Sequence, residues 1–259
     1  MLVAIPAAFL EIHGMSSSRT LLGILTPSSN TSLEPLTSAL CAAAPGVSAH
    51  FARFPVTEIS LKPAALGQFD DEKILAAARL LADAKVQCIG WSGTSAGWLG
   101  LEADRILCQR IEDATGIPAT TSTLALQEIM RKTGRKSLGL VTPYTDDVQQ
   151  KILSNFASED MACTAEKHLG ISVNFDFSEV SESELTYMVA SVASAKPAPA
   201  AISTFCTNLK AAHLVERWEA AYGIPVYDTV STVIWKMLRM TGYDTAQIKG
   251  WGRLFSEVA

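Results

Sequence analysis

Cys206 is the side chain with the most reactive chemistry to offer. It follows the apolar run Ala200-Ala201-Ile202-Ser203-Thr204-Phe205 and precedes a helical pattern, which puts its sulfur near a helix N-terminus. Such a position favours the thiolate and makes the group a competent acid or nucleophile near neutral pH. Thr207-Asn208 comes next. A second loop, Gly93-Thr94-Ser95, stands in the same relation to another apolar run, Val86 to Trp91. Thr94, Ser95, Tyr144, Thr207, Ser28 and Asn30 can all donate a hydrogen bond to a carboxylate. Ser and Thr at strand-to-helix junctions are most often plain N-caps, so these are singled out by their place in repeated loops. Cys41, Cys88, Cys108 and Cys163 have no comparable setting and read as packing.

The first of those loops also supports a rival chemistry. Gly93-Thr94-Ser95-Ala96-Gly97 fits the G-x-S-x-G nucleophile elbow between a strand and a helix. A serine hydrolase built on Ser95 would draw on Asp176 and His213 as its acid and base. No H-G-G-type oxyanion loop accompanies the motif, which ranks this reading below the thiol. A two-lobed carboxylate-binding protein without catalysis is a third class that these residues allow.

Positioning such loops requires strands that end at them. Short apolar runs alternate with longer helical patterns: Leu21 to Leu25 then Leu33 to Ala44, Val86 to Trp91 then Trp98 to Thr115, Leu138 to Val141 then Asp146 to Phe156, and Ala200 to Phe205 then Leu209 to Tyr222. This rhythm predicts an α/β fold with parallel sheets flanked by helices, and such sheets bind ligands beyond the carboxyl ends of their strands. The junctions recur. Leu22-Gly23-Ile24-Leu25-Thr26-Pro27 reads against Leu138-Gly139-Leu140-Val141-Thr142-Pro143. Gly93-Thr94-Ser95 matches Cys206-Thr207-Asn208, and Gly116-Ile117-Pro118 before Ser122-Thr123 matches Gly223-Ile224-Pro225 before Ser231-Thr232. Three matches in one order predict two pseudo-symmetric lobes with a cleft between them. The expected division is an extension at 1–18, a first lobe at 19–132 with 236–259 packing back on it, and a second lobe at 133–235.

Composition narrows the partners. With 26 acidic against 21 Lys and Arg residues the formal charge is -5, which offers no field for phosphate backbones or anionic lipid. No nucleic acid and no membrane partner is expected, whereas a homo-oligomer is allowed. The basic cluster Arg131, Lys132, Arg135 and Lys136 surrounds Gly134 at a helix C-terminus, where cations are ordinary dipole chemistry. Five unpaired cysteines suit a reducing compartment, and the cytoplasm is the expected location. Four scattered histidines give no metal-ligand spacing, so no metal is expected. A predicted ligand is a small mono- or dicarboxylate held between the lobes.

Thr26-Pro27-Ser28-Ser29-Asn30-Thr31, Gly93-Thr94-Ser95, Val141-Thr142-Pro143-Tyr144, Leu169-Gly170-Ile171, Cys206-Thr207-Asn208-Leu209 and Gly250-Trp251-Gly252-Arg253-Leu254-Phe255 carry a family resemblance. Through nearly the whole chain from Leu21, the sequence resembles the aspartate/glutamate racemase superfamily, in its branch of arylmalonate decarboxylases and maleate cis-trans isomerases. The resemblance implies an aspartate racemase-like fold and a lyase that needs no cofactor. Two-cysteine members place one thiol in each lobe, whereas here Gly93 stands at the first-lobe position and Cys206 is alone, as in the decarboxylases. It further implies a dioxyanion hole of Thr94, Ser95, Tyr144 and the N–H groups near Cys206 and Thr207, with Gly93, Pro27, Asn30 and Asn208 completing the substrate pocket. Cys206 would then protonate an enediolate left by loss of carbon dioxide from a substituted malonate. Asn30 and Thr207-Asn208 are similar to the isomerases. An isomerase or racemase of a small dicarboxylate, or an enzyme related to those of ectoine breakdown, is the alternative. A cysteine at position 93 is expected to restore the two-thiol arrangement.

Overall fold

The computed structural model describes residues 19–69 and 71–258, and the expected extension at 1–18 lies outside them. The first sheet joins β1 (Thr20–Pro27), β2 (Val47–Phe54), β3 (Cys88–Trp91) and β4 (Ala119–Thr121) in the order β2-β1-β3-β4. The second joins β5 (Ser137–Thr142), β6 (Ala162–His168), β7 (Ala201–Thr204) and β8 (Val226–Asp228) in the order β6-β5-β7-β8. Every pairing is parallel, so the two sheets share one topology. β3 and β7 are wholly buried, and β1 and β5 nearly so, as central parallel strands covered on both faces must be. β2 and β6 are half-exposed edges whose sequences mix Ala, His, Lys and Glu with apolar residues.

The helices are α1 (Leu33–Ala42), α2 (Pro63–Leu66), α3 (Asp71–Asp83), α4 (Ala96–Leu99), α5 (Leu101–Thr115), α6 (Ser122–Thr133), α7 (Asp146–Ala157), α8 (Glu182–Ala193), α9 (Val215–Tyr222), α10 (Thr229–Met240) and α11 (Leu254–Glu257). The pattern from Trp98 to Thr115 is broken at Gly100, whose φ of 97° ends α4 and starts α5.

The repeat extends below the level at which the sequence displays it. α5 and α9 end on left-handed glycines, Gly116 and Gly223, both at φ 70°. Their N–H groups close on the carbonyls of Glu112 and Glu219 at 2.8 and 2.9 Å. Those same glutamates reach forward, Glu112 to the N–H of Ala119 and Glu219 to that of Val226, both at 2.9 Å, and so fix the start of β4 and of β8. Thr121 then caps α6 through the Leu124 N–H and Asp228 caps α10 through the Val230 N–H. The equivalent caps are therefore Thr121 and Asp228.

α6 and α10 pack on each other between the sheets, tied by the Thr232 hydroxyl donating to the Ser122 carbonyl at 3.1 Å. α10 also lies on β3, where Gly90 leaves room for Val233 and Met237. The expected boundary at 235/236 falls inside this single helix. Beyond it, Trp235 donates to the Val258 carbonyl, while the N–H of Arg253 binds Glu219 on α9 at 2.8 Å. The C-terminal segment thus ties to α9 and α10. No helix among the described residues is long and apolar enough to cross a membrane.

Candidate active site

Four loops, each following a strand, meet between the sheets. From the first lobe come the loops after β1 and β3, from the second those after β5 and β7. Thr94 and Tyr144 share a hydrogen bond of 2.7 Å across the lobes. The Asn30 amide donates to the Thr207 hydroxyl at 3.2 Å, and Thr207 donates to the Ser92 carbonyl at 3.2 Å. Thr94, Ser95, Tyr144, Cys206, Thr207 and Asn30 are all buried. An edge-to-face series of Phe69, Trp98, Tyr144 and Phe177, with centroids 5.4 to 5.8 Å apart, gives the enclosure an apolar wall.

The Cys206 thiol differs from its sequence expectation. Residues 207–210 form a turn and a bend, a 3-10 turn follows at Ala212–Leu214 and α9 starts only at Val215, so the helix expected directly after Cys206 begins several residues later. Burial instead dominates and pushes the thiol up to about 11, against the opposing pull of the Tyr144 hydroxyl and the N–H groups of Asn208 and Leu209. Tyr144 is itself held well above its ordinary value, chiefly by burial and then by the nearby sulfur. At neutral pH the pair is a neutral thiol beside a neutral phenol.

The remaining candidates divide by what their polar atoms already bind. Asn208 is spent on backbone: its oxygen accepts from the N–H groups of Thr31 and Ser32 at 3.0 and 3.2 Å, and its amide donates to the Asn174 carbonyl. It clamps the lobes together through its oxygen and one of its two N–H groups, and the second N–H is left over. The Asn30 oxygen likewise holds the N–H groups of Ser32 and Leu33 at 3.0 and 2.9 Å, leaving part of its amide to face Thr207. Pro27 ends β1, and its carbonyl turns the chain by accepting from the Asn30 N–H at 3.0 Å.

Gly93 and Ser95 both answer to Trp91, a residue that the sequence did not single out. A Cβ at position 93 would lie 2.1 and 2.2 Å from two carbons of the Trp91 indole. The same indole donates its N–H to the Ser95 hydroxyl at 3.2 Å. Gly97, the other glycine of the elbow-like motif, is open because Phe205 and Ile152 of the second lobe press on it. Both glycines are thus explained by packing. Ser95 has the indole and no histidine among its partners, and His213 pairs with Glu182 on the surface at 3.0 Å. The serine hydrolase reading fails on that geometry. The cysteine expected to fit at position 93 meets Trp91 instead.

Over the enclosure the lobes are clasped by main chain. Ile59 donates its N–H to the Ser172 carbonyl at 2.8 Å, Asn174 donates to the Thr57 carbonyl at 3.0 Å, and Glu58 and Val173 form an antiparallel bridge between them. Asn174 also donates from its side chain to the Ser29 hydroxyl at 2.8 Å. Among the described residues no group of three or more His, Cys, Asp or Glu side chains could hold a metal ion.

A sequence profile described as arylmalonate decarboxylase matches residues 34–255, which takes in every loop of this enclosure except the one after β1. The chain belongs to the arylmalonate decarboxylase family. It is 27% identical over 187 residues to arylmalonate decarboxylase of Bordetella bronchiseptica, covering 72% of this chain and 78% of that one. The maleate isomerase of Pseudomonas putida S16 has the same fold, with a TM-score of 0.85 at 24% identity over 93% of this chain and 99% of that one. So does a cysteine-to-serine variant of Nocardia farcinica maleate cis-trans isomerase that carries a covalently bound succinylcysteine intermediate, with a TM-score of 0.83 at 22% identity, covering 93% and 99%. Family membership thus brings this arylmalonate decarboxylase-family chain within a fold shared by decarboxylases and isomerases.

Proposed function

We propose that the protein decarboxylates a substituted malonate-type diacid without a cofactor, with Cys206 as the proton donor. The observation that carries this reading is a lone buried thiol, held neutral, beside a phenol that bonds across the lobes to Thr94. On binding, the bond between Thr94 and Tyr144 opens, and one carboxylate of the substrate accepts from the hydroxyls of Thr94, Ser95 and Tyr144 and from N–H groups beside Cys206. As the bond from the α-carbon to the other carboxyl breaks, carbon dioxide leaves and the electron pair passes into the retained carboxylate as an enediolate. Donors fixed in advance in a dry enclosure stabilise that charge more than water does. The Cys206 proton then moves to the α-carbon, and the thiolate left behind rests on Tyr144 and the N–H groups of Asn208 and Leu209 until solvent reprotonates it.

A competing reading makes Cys206 a nucleophile that adds to the double bond of a cis-butenedioate, as the succinylcysteine of the Nocardia farcinica isomerase suggests for that protein. The raised thiol supports the acid over the nucleophile, because addition needs the thiolate. Asn208, which resembles the isomerases, spends its oxygen and one N–H on backbone of both lobes. Incubation with a panel of 2-aryl- and 2-alkylmalonates and with maleate decides between them. Carbon dioxide from a malonate is the expected outcome. Fumarate from maleate, with no carbon dioxide from any malonate, would replace this reading with the isomerase.

A further inference from the structure

Trp91 is buried at the end of β3, one residue before the loop that carries Gly93, Thr94 and Ser95. Its ring is braced by Phe54, with centroids 5.0 Å apart. Its counterpart in the second lobe is Thr204, which stands before Cys206 as Trp91 stands before Gly93 and which turns away to bind Asp228 at 2.7 Å. The two lobes therefore diverge at this step. In one an aromatic N–H is aimed at the loop's hydroxyl, and in the other the loop carries the thiol.

A hydroxyl has one proton and two lone pairs, whereas an indole N–H can only donate. With the indole donating at 3.2 Å, the Ser95 proton cannot point toward Trp91 and is left for the remaining directions around the oxygen. The ring also fills the volume above Gly93, so no side chain of residue 93 can take the indole's place or compete for that proton. We propose that Trp91 is a positioning residue: it holds Ser95 as a donor toward the substrate carboxylate, and Gly93 is a glycine so that the indole can reach. This rests on the carboxylate reading of the site given above.

If Trp91 acts through Ser95, removing both must cost no more than removing Ser95 alone. Titration calorimetry with 2-phenylmalonate and with maleate on wild type, Trp91→Phe, Ser95→Ala and the double variant tests this. The expected result is that each single variant binds about tenfold or more weakly, as for a hydrogen bond to a charged group, and that the double variant binds as Ser95→Ala does. Trp91→Met, a second side chain without an N–H, enters the same cycle if the phenylalanine variant does not give a folded protein. Losses that multiply in the double variant, or wild-type affinity in Trp91→Phe, overturn the proposal while leaving the carboxylate reading standing. Wild type that binds neither anion overturns both.

Discussion

A cysteine placed at position 93 should destabilise this protein rather than complete a second catalytic face. The ideal Cβ would stand 2.1, 2.2 and 2.6 Å from three carbons of the Trp91 indole, more than 1 Å inside ordinary contact for the nearest two. The ring has no free direction, because it is buried, braced by Phe54 and bonded to Ser95. Overpacking of this kind costs about 1–3 kcal/mol, and the indole-to-hydroxyl bond lost as the ring shifts costs about 1 kcal/mol more. The sum, about 2–4 kcal/mol, corresponds to a fall in Tm of roughly 5–15 °C for a protein of this size. Calorimetric unfolding of Gly93→Cys, Trp91→Val and the double variant measures it. In the Trp91→Val background, adding Gly93→Cys should cost much less than in wild type, since the obstructing ring is gone. Equal costs in the two backgrounds, or Gly93→Cys melting within about 2 °C of wild type, would refute the steric argument.

Burial raises the Asp104 carboxyl to about 7, and one of its oxygens has no partner, so the folded protein favours its protonated form below neutral pH. Its folded value lies above its unfolded one, so its contribution is complete below about pH 4 and is lost as pH rises through about 7, by about 4 kcal/mol in all. Asp104→Asn should therefore match wild type near pH 4 and exceed it at pH 8, and equal stability at pH 8 by urea unfolding would remove the argument. The clasp makes a separate claim, that a buried site opens by parting residues 57–59 from 172–174. A disulfide joining Glu58→Cys to Val173→Cys, a bridged pair whose Cβ atoms face each other at about 5 Å, should slow both turnover and iodoacetamide labelling of Cys206 until a reductant is added. Labelling at an unchanged rate in the oxidised protein would place the way in somewhere else.

The repeated junctions were legible because a strand that ends at a binding loop needs special residues there, and Leu-Gly-x-x-Thr-Pro and Gly-Ile-Pro announce themselves twice. The central strands showed as apolar runs for the same reason that they are buried. β2 and β6 did not, since an edge exposed on one side carries His50, Arg53, Glu166 and Lys167, and β4 and β8 have three residues each, too few for a pattern. Thr94, Tyr144, Cys206 and Thr207 were found through membership of the loops, and the structure brings them together. What stayed hidden depends on pairing across distance. Trp91 looks like any strand aromatic until its indole is seen over Gly93. The part that Asn208 plays between the lobes shows only when its oxygen is seen accepting from Thr31 and Ser32 and one N–H donating to Asn174. The thiol of Cys206 was misjudged because burial, which local sequence does not display, outweighs its hydrogen bonds.

The central claim is that the Cys206 thiol delivers a proton to one face of an enediolate. Its most direct measurement compares wild type with Cys206→Ala on a prochiral 2,2-disubstituted malonate that wild type turns over, following both carbon dioxide release and the optical purity of the product acid. Wild type should give one enantiomer. Cys206→Ala should be slower by about 10²-fold or more, the usual contribution of a positioned general acid, and whatever product it forms should be racemic. Cys206→Ala that releases carbon dioxide at the wild-type rate and still yields a single enantiomer would show that the proton comes from another group.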